Sequence, residues 1–166
     1  ILRGEGRAFC AGRDISNVDP TTDDAFRYLD SLVTPLLKEI SSFPAPVFAV
    51  ATGACLGVGL GLLVASDVVY VADTAQIGSP FANLGATLDS GGHALFYERL
   101  GAHRTLDLIY TAELMTGAEA VALGLFSRVV PEADVLEFTR ERAERVAAGA
   151  TGAFLASKEL VRRLRD

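Results

Sequence analysis

Apolar residues recur at helical spacing through Phe26, Leu29, Leu32, Val33, Leu36, Leu37 and Ile40, which predicts an amphipathic helix over residues 26–40. Pro35 falls inside that pattern. It has no N–H to donate, so it should kink or split the helix. An apolar run after Pro46 predicts a short strand at 47–51. A glycine cluster follows, and then residues 57–66, whose apolar character all round predicts a buried helix. Residues 67–71 are β-branched and aromatic and predict a strand, with another at 76–78. Helices are expected at 91–100 and 103–110. Thr116 with Glu119 three residues later reads as a capping box at a helix start. Residues 125–130 read as a strand ended by Pro131, and 135–148 and 152–164 read as helices. Ile1-Leu2-Arg3 resembles the end of a strand. Strands alternating with helices predict an α/β fold of short ββα units. One seam is expected near Pro131, dividing a core at 1–131 from a helical region at 132–166.

Half the residues are hydrophobic and 22% are charged, the balance of a globular chain with a core of its own. A net charge of −6 argues against broad nucleic-acid binding. The most apolar stretch, 47–71, contains four glycines and Asp67, so no membrane span is expected. No leader-like segment opens the chain. The two cysteines form no CxxC pair, which favours a cytoplasmic location over a disulfide scaffold. The absence of an initiator Met, and a final helical pattern without a cap, suggest residues missing at both ends.

Candidate chemistry gathers around two glycine-rich stretches and one carboxylate. The stretches are Ala8-Phe9-Cys10-Ala11-Gly12-Arg13-Asp14-Ile15 and Gly53-Ala54-Cys55-Leu56-Gly57-Val58-Gly59-Leu60-Gly61. The carboxylate is Asp89, in Leu88-Asp89-Ser90-Gly91-Gly92. Glycine permits close approach to the main chain, so the stretches can aim two N–H donors at one oxygen while Asp89 moves a proton. The plainer reading of Asp89 is an N-cap for the helix expected near Gly91. Gly57, Gly59 and Gly61 do not complete the dinucleotide fingerprint, because position 62 is Leu. Asp89-Ser90-Gly91-Gly92 resembles a serine-protease loop, but His93 and His103 both follow Ser90, the wrong order for that triad. The two histidines show no metal-ligand spacing, and no metal is expected. Cys10 and Cys55 read as small buried residues rather than nucleophiles. Lys158, Arg162, Arg163 and Arg165 read as a solvated helix face.

Taken together, these motifs resemble the enoyl-CoA hydratase/isomerase superfamily, the crotonases. Ala8-Phe9-Cys10-Ala11-Gly12 with Asp14-Ile15 is similar to its first signature, and Gly53 through Asp67 to its second. Gln76-Ile77-Gly78-Ser79-Pro80, Gly91-Gly92 and Arg99-Leu100-Gly101 resemble its third. Gly117-Ala118-Glu119-Ala120 with Gly124 through Pro131 resembles its close. The resemblance implies a crotonase-like spiral of ββα units, and a C-terminal helical region that builds homotrimers or dimers of trimers. It implies an acyl-CoA thioester as substrate, with no cofactor beyond the coenzyme A that the substrate carries. It places the backbone N–H groups of Arg13 and Val58 in an oxyanion hole. Cys10, Ala11, Asp14, Ile15, Gly57, Gly59, Pro80, Phe81, Leu84 and Leu88 are expected around the substrate. The two glutamates that hydratases of this family use fall at Gly61 and Phe81, and neither residue can move a proton. Asp89 falls where some family isomerases carry an acid, those of the phenylacetate type in particular. The resemblance therefore favours an isomerase. An acyl-CoA-binding protein without activity and an atypical hydratase are the alternatives.

Overall fold

The computed structural model describes residues 1–19 and 21–164. In chain order it runs β1 (Leu2–Arg3), α1 (Ala25–Tyr28), α2 (Thr34–Ser41), β2 (Phe48–Ala51), β3 (Ala54–Leu56) and α3 (Val58–Ala65). Then come β4 (Val68–Ala72), β5 (Gln76–Gly78), α4 (Gly92–Thr111), β6 (Met115–Thr116), α5 (Gly117–Ala122), β7 (Arg128–Val130), α6 (Val135–Ala147) and α7 (Thr151–Arg163). Two sheets carry the strands. The larger, in order β1-β2-β4-β7, is parallel throughout. The smaller, in order β3-β5-β6, pairs β3 with β5 in parallel and β5 with β6 antiparallel.

The chain visits the large sheet, then the small one, then a helix: β2, β3, α3, and again β4, β5, α4. This is the expected ββα spiral. β3 lies inside the glycine cluster, where the sequence pattern predicted no strand. β1 pairs with β2 in the register Leu2 to Ala49 and Arg3 to Val50.

Pro35 does split the helix at 26–40. Residues Leu29–Val33 form a wide π turn, and the Thr34 N–H donates to the Leu29 carbonyl. Pro35 then sits in the first turn of α2, where a missing N–H costs nothing. Of the apolar stripe only Val33 is buried, whereas Phe26 is 79% and Leu32 62% exposed. The predicted pair at 91–100 and 103–110 is present as two helical segments of α4, divided at Gly101, whose backbone is not helical (φ 73°, ψ 173°). The capping box is present: the Glu119 N–H donates to the Thr116 hydroxyl, and the Thr116 N–H to the Glu119 carboxylate at 2.7 Å.

The core lies between the sheets and α3, α5 and α6. Ala49, Ala51, Val71, Ala72 and Ile77 are fully buried. The α6 helix reaches across the seam expected near Pro131. Its Val135 and Thr139 are buried, and Phe138 meets Tyr70 edge-on at 5.2 Å. Lys158 on α7 is not a solvated charge. Its ammonium donates to the Phe43 and Ala45 carbonyls and to the Asp67 carboxylate at 2.8 Å, tying α7 to the entry of β2. Asp67 in turn accepts the Val47 N–H.

Candidate active site at the head of α3

Gly57 is the hinge of the site. Its φ of +55° is a conformation that side-chain-bearing residues resist, and it turns β3 abruptly into α3. Val58 is the first residue of α3, so its N–H finds no acceptor within the helix. The first glycine-rich stretch lies directly opposite. Phe9 and Cys10 donate to the Thr52 and Ala54 carbonyls, and Leu56 donates back to Cys10 at 2.9 Å. These bonds bring Gly12 against Gly57, whose missing Cβ would lie 3.9 Å from the Gly12 Cα. Among the described residues the Arg13 N–H, next in the chain, also has no acceptor. Two unused backbone donors thus stand on facing segments.

The loop behind them is held by its side chains. The Arg13 guanidinium donates both arms to Asp23, at 2.9 and 2.7 Å, and lies over the Tyr28 ring at 4.2 Å. Its hydrogen bond holds the Asp23 carboxyl below the usual carboxylate range. Asp14 is engaged within its own loop. Its carboxylate accepts the hydroxyl and the N–H of Ser16, which hold its pKa low as well. Ala11 and Ile15 are exposed on the same loop.

The Phe81 ring closes the third side: its Cζ stands 3.1 Å from where a Gly57 Cβ would be. Pro80 precedes the short 3-10 turn Phe81–Leu84, and Leu84 is 61% exposed at its end. Leu88 is buried and folds over Gly92 in the core cluster. Gly59 faces Cys10, with 2.9 Å from its missing Cβ to the Cys10 Cβ. The main chain at Cys10 pairs in parallel with that at Cys55 on β3, and both thiols are free. Burial, reinforced by the nearby Cys10, pushes the Cys55 thiol up to about 12, so it is no nucleophile.

Asp89 directly precedes Ser90 in the turn that meets α3 at Gly61. Its neighbour Ser90 fills the space over Gly61. Asp89 does not cap α4: the cap residue is Gly91, and no side chain bonds the first turn. Among the described residues the Asp89 Oδ1 is buried without any hydrogen-bond partner, and so is the Ser90 hydroxyl. A buried polar atom left unpaired is costly, and in a native fold it calls for a ligand or a task. Gly61, Ser90 and Gly91 also form one wall of an open groove of about 950 Å³, bounded further by α2, α4 and α7. Gly61, one turn into α3 from the Val58 N–H, thus meets Ser90, and both line the groove.

The glycine pattern singled out Asp89, and the family resemblance added Arg13 and Val58, but neither reached their supports. Asp23 and Tyr28 gave no local signal, because they meet Arg13 only in three dimensions. Ser90 was hidden by its resemblance to a protease loop, and its positive φ of 52° is not written in a serine. Among the described residues no helix is long and apolar enough to cross a membrane.

The family described as enoyl-CoA hydratase/isomerase matches residues 1–165. A probable enoyl-CoA hydratase of Rhodobacter capsulatus is 35% identical over 159 residues, 96% of this chain and 62% of that protein. The 1,2-epoxyphenylacetyl-CoA isomerase of Escherichia coli is 29% identical over 91% of this chain and 59% of its own length. A crystal structure of an enoyl-CoA hydratase subunit of Geobacillus kaustophilus superposes with a TM-score of 0.88 at 32% identity, over 99% of this chain and 63% of that one. The chain thus spans less than two thirds of the length of these relatives. It belongs to the enoyl-CoA hydratase/isomerase family and has the crotonase fold.

Proposed function

We propose that this member of the enoyl-CoA hydratase/isomerase family isomerises an acyl-CoA thioester, with Asp89 as its one acid–base group. The thioester oxygen would accept the N–H groups of Arg13 and Val58. As a proton leaves the substrate carbon, negative charge grows on that oxygen. Fixed donors stabilise the resulting enolate, and one such donor is worth about 3–4 kcal/mol in comparable sites. Asp89 would take the proton from one carbon as a carboxylate and return it to another as an acid, leaving its own charge unchanged over the cycle. The loop at residues 11–15 would hold the nucleotide end of coenzyme A, and the groove beyond Ser90 would take the acyl chain. Homotrimers or dimers of trimers in the cytoplasm remain the expected setting.

The observation that carries this reading is the Asp89 Oδ1, buried and without a partner among the described residues, next to the Ser90 that packs on Gly61 of α3. The positions where hydratases of the family carry their acids hold Gly61 and Phe81. Hydration is the competing reading, favoured by the similarity to the probable enoyl-CoA hydratase of Rhodobacter capsulatus. Calorimetry with acetyl-CoA and longer acyl-CoA thioesters, followed by mass spectrometry of enoyl- and epoxyacyl-CoA incubations, separates the two. Binding with rearrangement at constant mass is expected. A product heavier by one water would establish hydration, and binding without turnover would reduce the protein to a carrier. No detectable binding would overturn the whole reading.

A further inference from the structure

Glycine weakens a helix interior, so Gly61 inside α3 needs a reason. Unlike Gly57 it has no left-handed φ to satisfy. The reason lies across the site. A Cβ on residue 61 would overlap the Ser90 Cβ and stand 3.0 Å from the Ser90 carbonyl oxygen and 3.2 Å from its hydroxyl. Ser90 has little freedom to withdraw. It holds a φ of +52°, which serine resists, and Gly91 follows at +82°. The Gly92 N–H closes the turn onto the Asp89 carbonyl at 2.9 Å, and the Leu88 side chain covers Gly92 at 2.8 Å from where its Cβ would be. Gly61 and Ser90 both line the large groove, and the buried Ser90 hydroxyl has no partner.

We propose that Gly61 and Ser90 form a matched pair that determines the specificity of the reaction. Ser90 occupies the volume that any side chain at residue 61 would need. No second acid can then stand beside Asp89, and no water can be held there by one. Chemistry at this point is confined to what a single carboxylate does: moving a proton within the bound substrate. This inference rests on the reading of Asp89 given above and adds the residue that enforces it.

The test uses full-length protein and two readouts. In the first, melting temperatures are compared for Gly61→Ala, Ser90→Gly, the double variant and the unaltered protein. Gly61→Ala is expected to lower melting by about 5 °C, the usual scale for overpacking in a chain of this size. In the Ser90→Gly background at least half of that loss should vanish. Losses that add independently overturn the pair. In the second, Gly61→Glu is introduced with Ser90 retained and with Ser90→Gly, and each protein is given a 2-enoyl-CoA in ¹⁸O-labelled water. Incorporation of label at the β-carbon should be about tenfold higher, or more, once Ser90 is removed, at or below the low end of the gain from a positioned acid–base group. Equal incorporation in the two backgrounds, none included, overturns the pair's role in specificity. Failure of the unaltered protein to isomerise any thioester counts against the Asp89 reading instead, and the melting series still decides whether the pair exists.

Discussion

The loop at residues 11–23 and the turn at 88–92 flank the same helix head, and their polar groups are treated in opposite ways. In the loop every carboxylate is occupied: Asp14 by Ser16, Asp19 by Thr21 and Asp23 by Arg13. In the turn Asp89 and Ser90 are left with buried, unpaired oxygens, and Ser90 holds a backbone conformation it resists. Satisfied side chains fix a segment, and what that segment then offers is its main chain. Unsatisfied ones hold interaction energy that only a ligand can release. The loop is accordingly a scaffold for one N–H, and the turn is where side-chain chemistry is concentrated.

Asp89→Asn breaks that comparison most severely. The amide keeps size and hydrogen bonding but cannot shuttle a proton, so isomerisation should fall at least about a hundredfold while thioester binding persists. Melting should hold or rise, because the variant replaces a buried carboxylate with a neutral group. Steady-state rates measured beside calorimetric melting make the check. Wild-type turnover in the Asn variant would return Asp89 to a structural role.

Val58→Pro is next in size and probes the backbone alone. Proline is tolerated at the first position of a helix and deletes only the N–H. Turnover should drop about 10²–10³-fold, the loss seen when one oxyanion donor is removed, with melting nearly unchanged. Val58→Gly retains the N–H and should keep most activity. Similar rates in the two variants would remove Val58 from the oxyanion hole.

The spiral was legible because its determinants are local. The β-branched run at β4, the apolar α3, the Thr116 capping box and the break at Pro35 each announce themselves within a few residues. β3 was not legible: Ala54, Cys55 and Leu56 form a strand because Ile77 and Cys10 lie alongside them, not through their own propensity. The stripe from Phe26 to Ile40 misled in the other direction, since helical spacing shows which face is apolar and not whether anything covers it. In the site, Asp89 stood out by its isolation between glycines. The reason for Gly61 lay twenty-nine residues away, at Ser90, and only the fold brings the two together.

The smallest expected effect sharpens the scaffold side of the comparison. The Arg13–Asp23 pair is partly exposed, with side chains 26% and 21% accessible, so its worth is modest and screened by salt. Its value lies in holding the loop that presents the Arg13 N–H. The Asp23 carboxyl is held below its ordinary value chiefly by the hydrogen bond from Arg13. A group whose folded pKa is depressed contributes stability above its unfolded value, about 3.9, and loses that contribution as pH falls through the folded value. Asp23→Asn should therefore melt slightly below the unaltered protein at pH 7, and the two should converge as pH falls through the lowered folded value. Thioester affinity at pH 7 should weaken a few-fold, while the pH profile of turnover keeps its shape, because the proposed reading assigns proton transfer to Asp89. Melting curves from pH 7 to pH 2 and calorimetry at pH 7 test this. A change in the shape of the turnover profile would show that the loop and the turn are coupled through charge and do not divide the work as scaffold and reaction centre.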